Sequence, residues 1–120
     1  MTGLLDTNVA LYLLGGRMAS PLPDGSYGIS VVTEMELLAW PSLTEPEERK
    51  VREFLKAVTI CDLTASIRAR AVEFRKHHNL KLPDAVVCAT AMEFGVELWT
   101  NDAGLGRVPG LRCRSVSLSA

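Results

Sequence analysis

The sequence predicts a single α/β domain: a central, mostly parallel sheet of about five strands with helices on both faces. Three observations lead there. Apolar runs of strand length alternate with stretches of helical periodicity along the whole chain. The 120 residues contain no repeat, low-complexity tract or linker, so residues 1–120 form one domain of ordinary size. One stretch, Ala85 to Phe94, is apolar on nearly every side, as a helix buried against a sheet must be.

The elements follow in order. Gly3-Leu4-Leu5 reads as a first strand and Asn8 to Leu14 as a helix. Gly15 to Gly28 carries four Gly and two Pro and reads mostly as loop. Ile29 and its neighbours make a short strand, followed by a helix over Val31–Trp40 that Pro41 stops. Thr44-Glu45-Pro46-Glu47 has the form of a capping box, and the helix behind it places Val51, Phe54, Leu55 and Val58 on one face. Val58 to Cys61 is a strand. A helix from about Thr64 to His78 turns Ile67, Ala71 and Phe74 inward. Pro83 opens the apolar helix and Gly95 stops it. Val96 to Thr100 and Arg112 to Leu118 are the last two strands.

Composition narrows the function classes. No apolar stretch approaches the ~20 residues of a membrane-spanning helix. An acid at position 6 interrupts any leader-like apolar run, so a cytoplasmic protein is expected. Cys61, Cys88 and Cys113 are odd in number and widely spaced, which indicates neither a disulfide framework nor a zinc site. A formal net charge of −1 argues against strong non-specific nucleic-acid binding. Locally, however, Ile67 to Lys81 holds five Lys/Arg, two His and a single acid.

Four acids stand at element junctions: Asp6, Glu36, Asp84 and Asp102. Ligands of parallel sheets bind beyond the carboxyl ends of the strands. Asp6 and Asp102 each follow a strand and therefore share that edge. If all four meet, their repulsion in a partly dry cleft is relieved only by protons or a cation. An all-oxygen set suits Mg2+ or Mn2+ better than Zn2+. Each acid also has a local explanation. Asp6 can cap the first helix. Glu36 can close a capping box with Thr33. Asp84 can answer a helix dipole, and Asp102 can serve a turn.

The succession Leu-Leu-Asp-Thr-Asn-Val (4–9), Ser-Val-Val-Thr-Glu-Met-Glu-Leu-Leu (30–38), Leu-Pro-Asp-Ala-Val-Val-Cys-Ala-Thr-Ala (82–91) and Leu-Trp-Thr-Asn-Asp (98–102) resembles the PIN-domain family, specifically VapC-type toxins. The match runs in order over nearly the whole chain, and Leu-Pro-Asp-Ala is its most specific piece. The resemblance implies a metal-dependent endoribonuclease, the toxin half of a bacterial or archaeal toxin–antitoxin pair. It assigns the acidic quartet to Asp6, Glu36, Asp84 and Asp102, preferring Glu36 to Glu34 because Leu-Leu follows it. It gives Thr7, Asn8, Thr100 and Asn101 the task of orienting carboxylates and bound water, and Arg75 that of a phosphate contact. It further implies an RNA substrate, a small antitoxin as partner and a homodimer. Two departures stand out. Many relatives carry an aromatic shortly after the last acid, where this chain has Ala103-Gly104-Leu105, and the loop before Ile29 is short and rich in Gly and Pro.

On this reading Asp6 and Asp84 hold Mg2+ or Mn2+, and Glu36 and Asp102 complete the shell, bind a second ion or orient water. Trp40 and Trp99 are candidates for partner contacts, with Trp99 placed in the core by its strand. His77 and His78 suit a helix C-terminus without any catalytic task. Three rivals remain. A Rossmann-like phosphatase would use Asp6 as nucleophile, but Asn8 stands where that class has a second Asp. A receiver-like domain needs paired acids after its first strand. A PIN fold without activity would serve only for interaction.

Overall fold

The computed structural model describes residues 1–120. Five strands, β1 (Gly3–Leu5), β2 (Tyr27–Ser30), β3 (Thr59–Cys61), β4 (Glu97–Trp99) and β5 (Cys113–Arg114), form one sheet in the order β3-β2-β1-β4-β5. Every pairing is parallel. The helices are α1 (Thr7–Leu14), α2 (Val31–Leu38), α3 (Glu45–Ala57), α4 (Ala65–His78) and α5 (Leu82–Phe94). No helix is long and apolar enough to cross a membrane.

A buried parallel strand must be apolar on both sides, and β1 shows why three residues suffice. Leu4 and Leu5, both fully buried, point to opposite faces. Leu4 joins the larger core with α4 and α5, including Ile67, Ala71, Phe74 and Ala85 to Ala89. Leu5 joins Val9, Ile29 and Trp99, with Phe54 and Leu55 of α3 packed alongside. A third cluster, Ala10, Leu37 and Val51, locks α1, α2 and α3 together. The sheet is thus covered on both faces, as the alternating pattern requires.

Several boundaries differ from those read in the sequence. The capping box at Thr44–Glu47 is present, with both reciprocal bonds. The Thr33–Glu36 box is not. Ser30 caps α2 instead, accepting from the Val32 amide at 3.1 Å, so Thr33 lies inside the helix and is fully buried. Pro83 occupies the second helical position of α5 rather than the first, because Leu82 already follows the Lys81 cap. Tyr27 and Gly28, read as loop, belong to β2. The last strand is only two residues long. Beyond it, the Asn101 side chain replaces the ladder: its amide donates to the Val116 carbonyl (3.0 Å) and its carbonyl accepts from the Val116 amide (2.8 Å). A lone antiparallel bridge, Met18 to Leu118, ties the tail to the loop after α1. The 3-10 turn Leu105–Arg107 had no signal in the sequence reading.

Candidate active site

The two central strands end side by side, and the Asp6 amide donates to the Trp99 carbonyl at 3.1 Å. This bond joins the end of β1 to the end of β4, so the segments carrying Asp6 and Asp102 leave the sheet at one edge. Asp6 is the N-cap of α1, accepting from the Val9 amide at 2.8 Å. Capping and site geometry are here the same fact, since the cap holds the carboxylate over the sheet edge. Asp102 is held by two short-range bonds. Its amide donates to the Thr100 hydroxyl (3.0 Å), and its carboxylate accepts from the Gly104 amide (2.9 Å).

Glu36 and Asp84 arrive on helices. Ser30, at the end of β2, starts α2 and so carries Glu36 to the same edge. A relay of hydroxyls fixes its carboxylate: Thr7 donates to Glu36 Oε1 at 2.6 Å, and Thr33 lies 3.0 Å from the Thr7 oxygen. With the Thr7 proton committed to Glu36, Thr33 is the donor in the second bond. Glu36, not Glu34, is the acid that turns inward. Asp84 stands in the first turn of α5, where Lys81 provides no side-chain cap and the helix dipole favours a negative charge.

All four carboxylates line one cleft of about 160 Å3, together with Thr7, Asn8, Trp40, Pro83 and Val87. Asp6 is 8% exposed. Burial raises its pKa most; the Asp102 and Glu36 charges add to the rise, while bonds from Thr100 and Val9 oppose it. Burial likewise raises Asp84, then the charges of Asp102, Asp6 and Glu36, with Lys81 acting against them. The four acids therefore feel one another, yet no three of them close around a single point. Mg2+ takes only one or two carboxylates and keeps water in its other positions, so an open set of oxygen donors fits such an ion. Asp6 and Asp84, both raised by burial and by neighbouring carboxylates, are the groups whose ionised form a divalent cation would favour.

The remaining predicted residues divide. Thr7 and Asn8 line the cleft, and Thr100, almost fully buried, accepts from the Asp102 amide and lies near enough to Asp6 to favour its ionised form. Asn101 does not join them, because its side chain is spent on Val116. Arg75 is exposed in the last turn of α4 and lines neither the cleft nor the cavity beside it. That neighbouring cavity, about 550 Å3, shares Asp84 and Asp102 with the cleft and has Lys81, His78 and Arg107 on its walls. Arg107 escaped the sequence reading; the only signal was its place five residues after the last acid. Trp99 is buried under a T-shaped contact with Tyr27 and a cation–π contact with Arg114, whereas Trp40 is 46% exposed at the cleft rim. Cys61, Cys88 and Cys113 are all free thiols.

A parallel sheet covered by helices on both faces, with four acids from four segments facing one cleft beyond the strand ends, defines an α/β domain of the acidic-cleft class. The PIN domain model matches residues 3–111, and the chain belongs to the PIN domain family. Its fold matches a chain of a toxin–antitoxin complex from Klebsiella pneumoniae, with TM-score 0.76 and 31% identity over 92% of this chain and 95% of that one. It also matches VapBC2 from Rickettsia felis bound to a promoter DNA fragment (TM-score 0.81, 20% identity, 98% and 100% covered). DNA-bound VapBC from Salmonella typhimurium is similar as well (TM-score 0.80, 20% identity, 96% and 98% covered). These matches agree with the VapC-type resemblance carried by the four motifs. No curated protein matches the chain.

Proposed function

We propose that this chain is a Mg2+- or Mn2+-dependent endoribonuclease and the toxin of a type II toxin–antitoxin pair. The observation that carries the reading is the meeting of Asp6, Glu36, Asp84 and Asp102 in one cleft at the carboxyl edge of the sheet. Asp6 and Asp84 would hold the cation, since these two carboxyls line the cleft and are raised by burial and by their acidic neighbours. When bound, the cation lowers the pKa of the attacking water and offsets charge on the scissile phosphate. Glu36, fixed by Thr7, and Asp102, fixed by the Gly104 amide, would supply further oxygens toward the cation and hold carboxylates where they could orient water. Thr100 keeps the Asp6 and Asp102 segments in register.

The partner reading has its own support. An apolar groove lined by Leu11, Leu14, Leu43 and Val51 adjoins the acidic cleft, and Trp40 belongs to both. A small antitoxin lying in that groove reaches the acids directly, and the toxin–antitoxin complex from Klebsiella pneumoniae is a relative of matching length. A homodimer is the expected assembly of the toxin itself, checked by light scattering of the purified chain.

Purified protein is incubated with labelled RNA in Mg2+, in Mn2+ and in EDTA. Cleavage is expected with either ion, none with EDTA, and none from Asp6→Asn or Asp84→Asn variants with native circular dichroism. Undiminished cleavage by both variants overturns the assigned site. Inert wild-type protein that still binds its antitoxin is an interaction module instead.

A further inference from the structure

We infer that the 550 Å3 cavity beside the acidic cleft is the seat of a nucleotide of the RNA flanking the scissile phosphate, with Lys81 and Arg107 as its backbone contacts. The inference rests on the ribonuclease reading and deepens it.

Size separates the two spaces. The cleft, about 160 Å3, holds an ion and a few waters, each taking ~30 Å3. The adjoining cavity falls within the ~300–1,000 Å3 range of small-molecule sites. The two are adjacent, and Asp84 and Asp102 line both. A strand with its scissile phosphate at the acids therefore lays its neighbouring nucleotide in the larger space.

Charge points the same way. Arg49, Arg52, Lys56, Arg70 and Arg114 each pair with a carboxylate. Lys81 and Arg107 are in no ion pair, although Lys81 stands close enough to Asp84 to influence its ionisation. These two line the cavity, one just before α5 and one in the 3-10 turn after Asp102, and suit contacts to a polyanion seated in it. The cavity's apolar lining is small: partly buried Leu80, with the edges of the core residues Leu105 and Val108 beneath it. Arg107 presents a fork for phosphate oxygens and Lys81 a point charge. The cavity wall sets these two cations beside Asp84 and Asp102, so RNA approaching the acids meets positive charge there even though the chain's net charge is −1.

The test is steady-state cleavage of a labelled single-stranded RNA by wild type, Lys81→Ala, Arg107→Ala, the double variant, and Arg49→Ala as a control on the outer face of α3. Contacts made equally in ground and transition states raise KM and spare kcat. Each single variant is expected to raise KM about tenfold and to lower the slope of log(1/KM) against log salt by ~0.7. The control is expected to match wild type, and the Mn2+-induced melting shift is expected to survive in all variants. Wild-type KM in a double variant that cleaves normally overturns this inference and leaves the ribonuclease reading standing. A fall in kcat at constant KM also overturns it, since the cations then serve the reaction and not the flanking nucleotide. Wild-type protein that cleaves no RNA with any divalent ion overturns the ribonuclease reading and this inference with it.

Discussion

Replacing Asp6 by Asn removes one negative charge from the cleft and little else. The side-chain oxygen that accepts from the Val9 amide at 2.8 Å remains, and Asn caps a helix about as well as Asp. The sign of the effect on the metal-free protein follows from the raised Asp6 pKa. A carboxyl raised in the folded state contributes stability while protonated, and that contribution is lost as pH rises through the folded pKa. Above its folded pKa the ionised Asp6 therefore opposes folding, and there the metal-free Asn variant is expected to melt at or above the wild-type temperature. A divalent ion reverses the order. An ion at ~100 times its Kd stabilises a folded protein that alone binds it by about 2.7 kcal/mol. For 120 residues the unfolding entropy is roughly 0.25 kcal/mol/K, so the wild-type melting temperature rises by about 11 °C. A tenfold loss of affinity in the Asn variant reduces the rise to about 6 °C, and a hundredfold loss to about 2 °C. Scanning calorimetry with and without Mn2+ reads both quantities. Equal Mn2+ shifts in the two proteins would refute the assignment of Asp6 as a ligand, and a metal-free variant melting well below wild type would refute the charge argument.

Three further outcomes are expected. Thr7→Val removes the hydroxyl that donates to Glu36 at 2.6 Å, so metal-dependent cleavage should drop ~10–100-fold while Thr7→Ser retains it; equal rates for Val and Ser would show that the hydroxyl relay does not position Glu36. Gly3→Ala brings a methyl to 2.6 Å from Trp99 Nε1 and 2.8 Å from its Cδ1, in a buried ring with little room to move. It should cost about 1–3 kcal/mol in urea unfolding, and an unchanged midpoint would contradict this packing. Cys88 is fully buried and its thiol is pushed up to about 12, so native protein at pH 8 should leave it unalkylated by iodoacetamide while urea exposes it; rapid native labelling at Cys88 would place it elsewhere.

The parts of the fold readable in the sequence are those where local chemistry and burial agree. β1 and β4 are short, but their apolar runs are buried on both sides and end at acids, so strand, edge and site could be read together. The Thr44 cap was legible because both partners of its box lie within four residues. The Thr33–Glu36 pattern has the same form, yet Ser30 starts the helix earlier and the Thr33 hydroxyl turns to Thr7. Sequence spacing cannot distinguish a cap from a contact made 26 residues away. β5 was overextended because its apolar alternation continues after the ladder stops, where one asparagine side chain supplies the bonds. The resemblance assigned Asn101 to the site beside Asp102, and the bonds of its side chain to Val116, 15 residues on, have no signature in the local sequence. Arg107 was missed because its importance lies in a cavity wall formed by the turn after Asp102 and the turn before α5, segments far apart in the chain.

The most direct measurement is anomalous diffraction at the manganese edge from crystals grown or soaked in Mn2+. The account predicts a peak inside the cleft, about 2.0–2.3 Å from a carboxylate oxygen of Asp6 or Asp84, with Glu36 and Asp102 facing its remaining positions. An ordered ion bound elsewhere, or an accessible cleft empty at millimolar Mn2+, would contradict it.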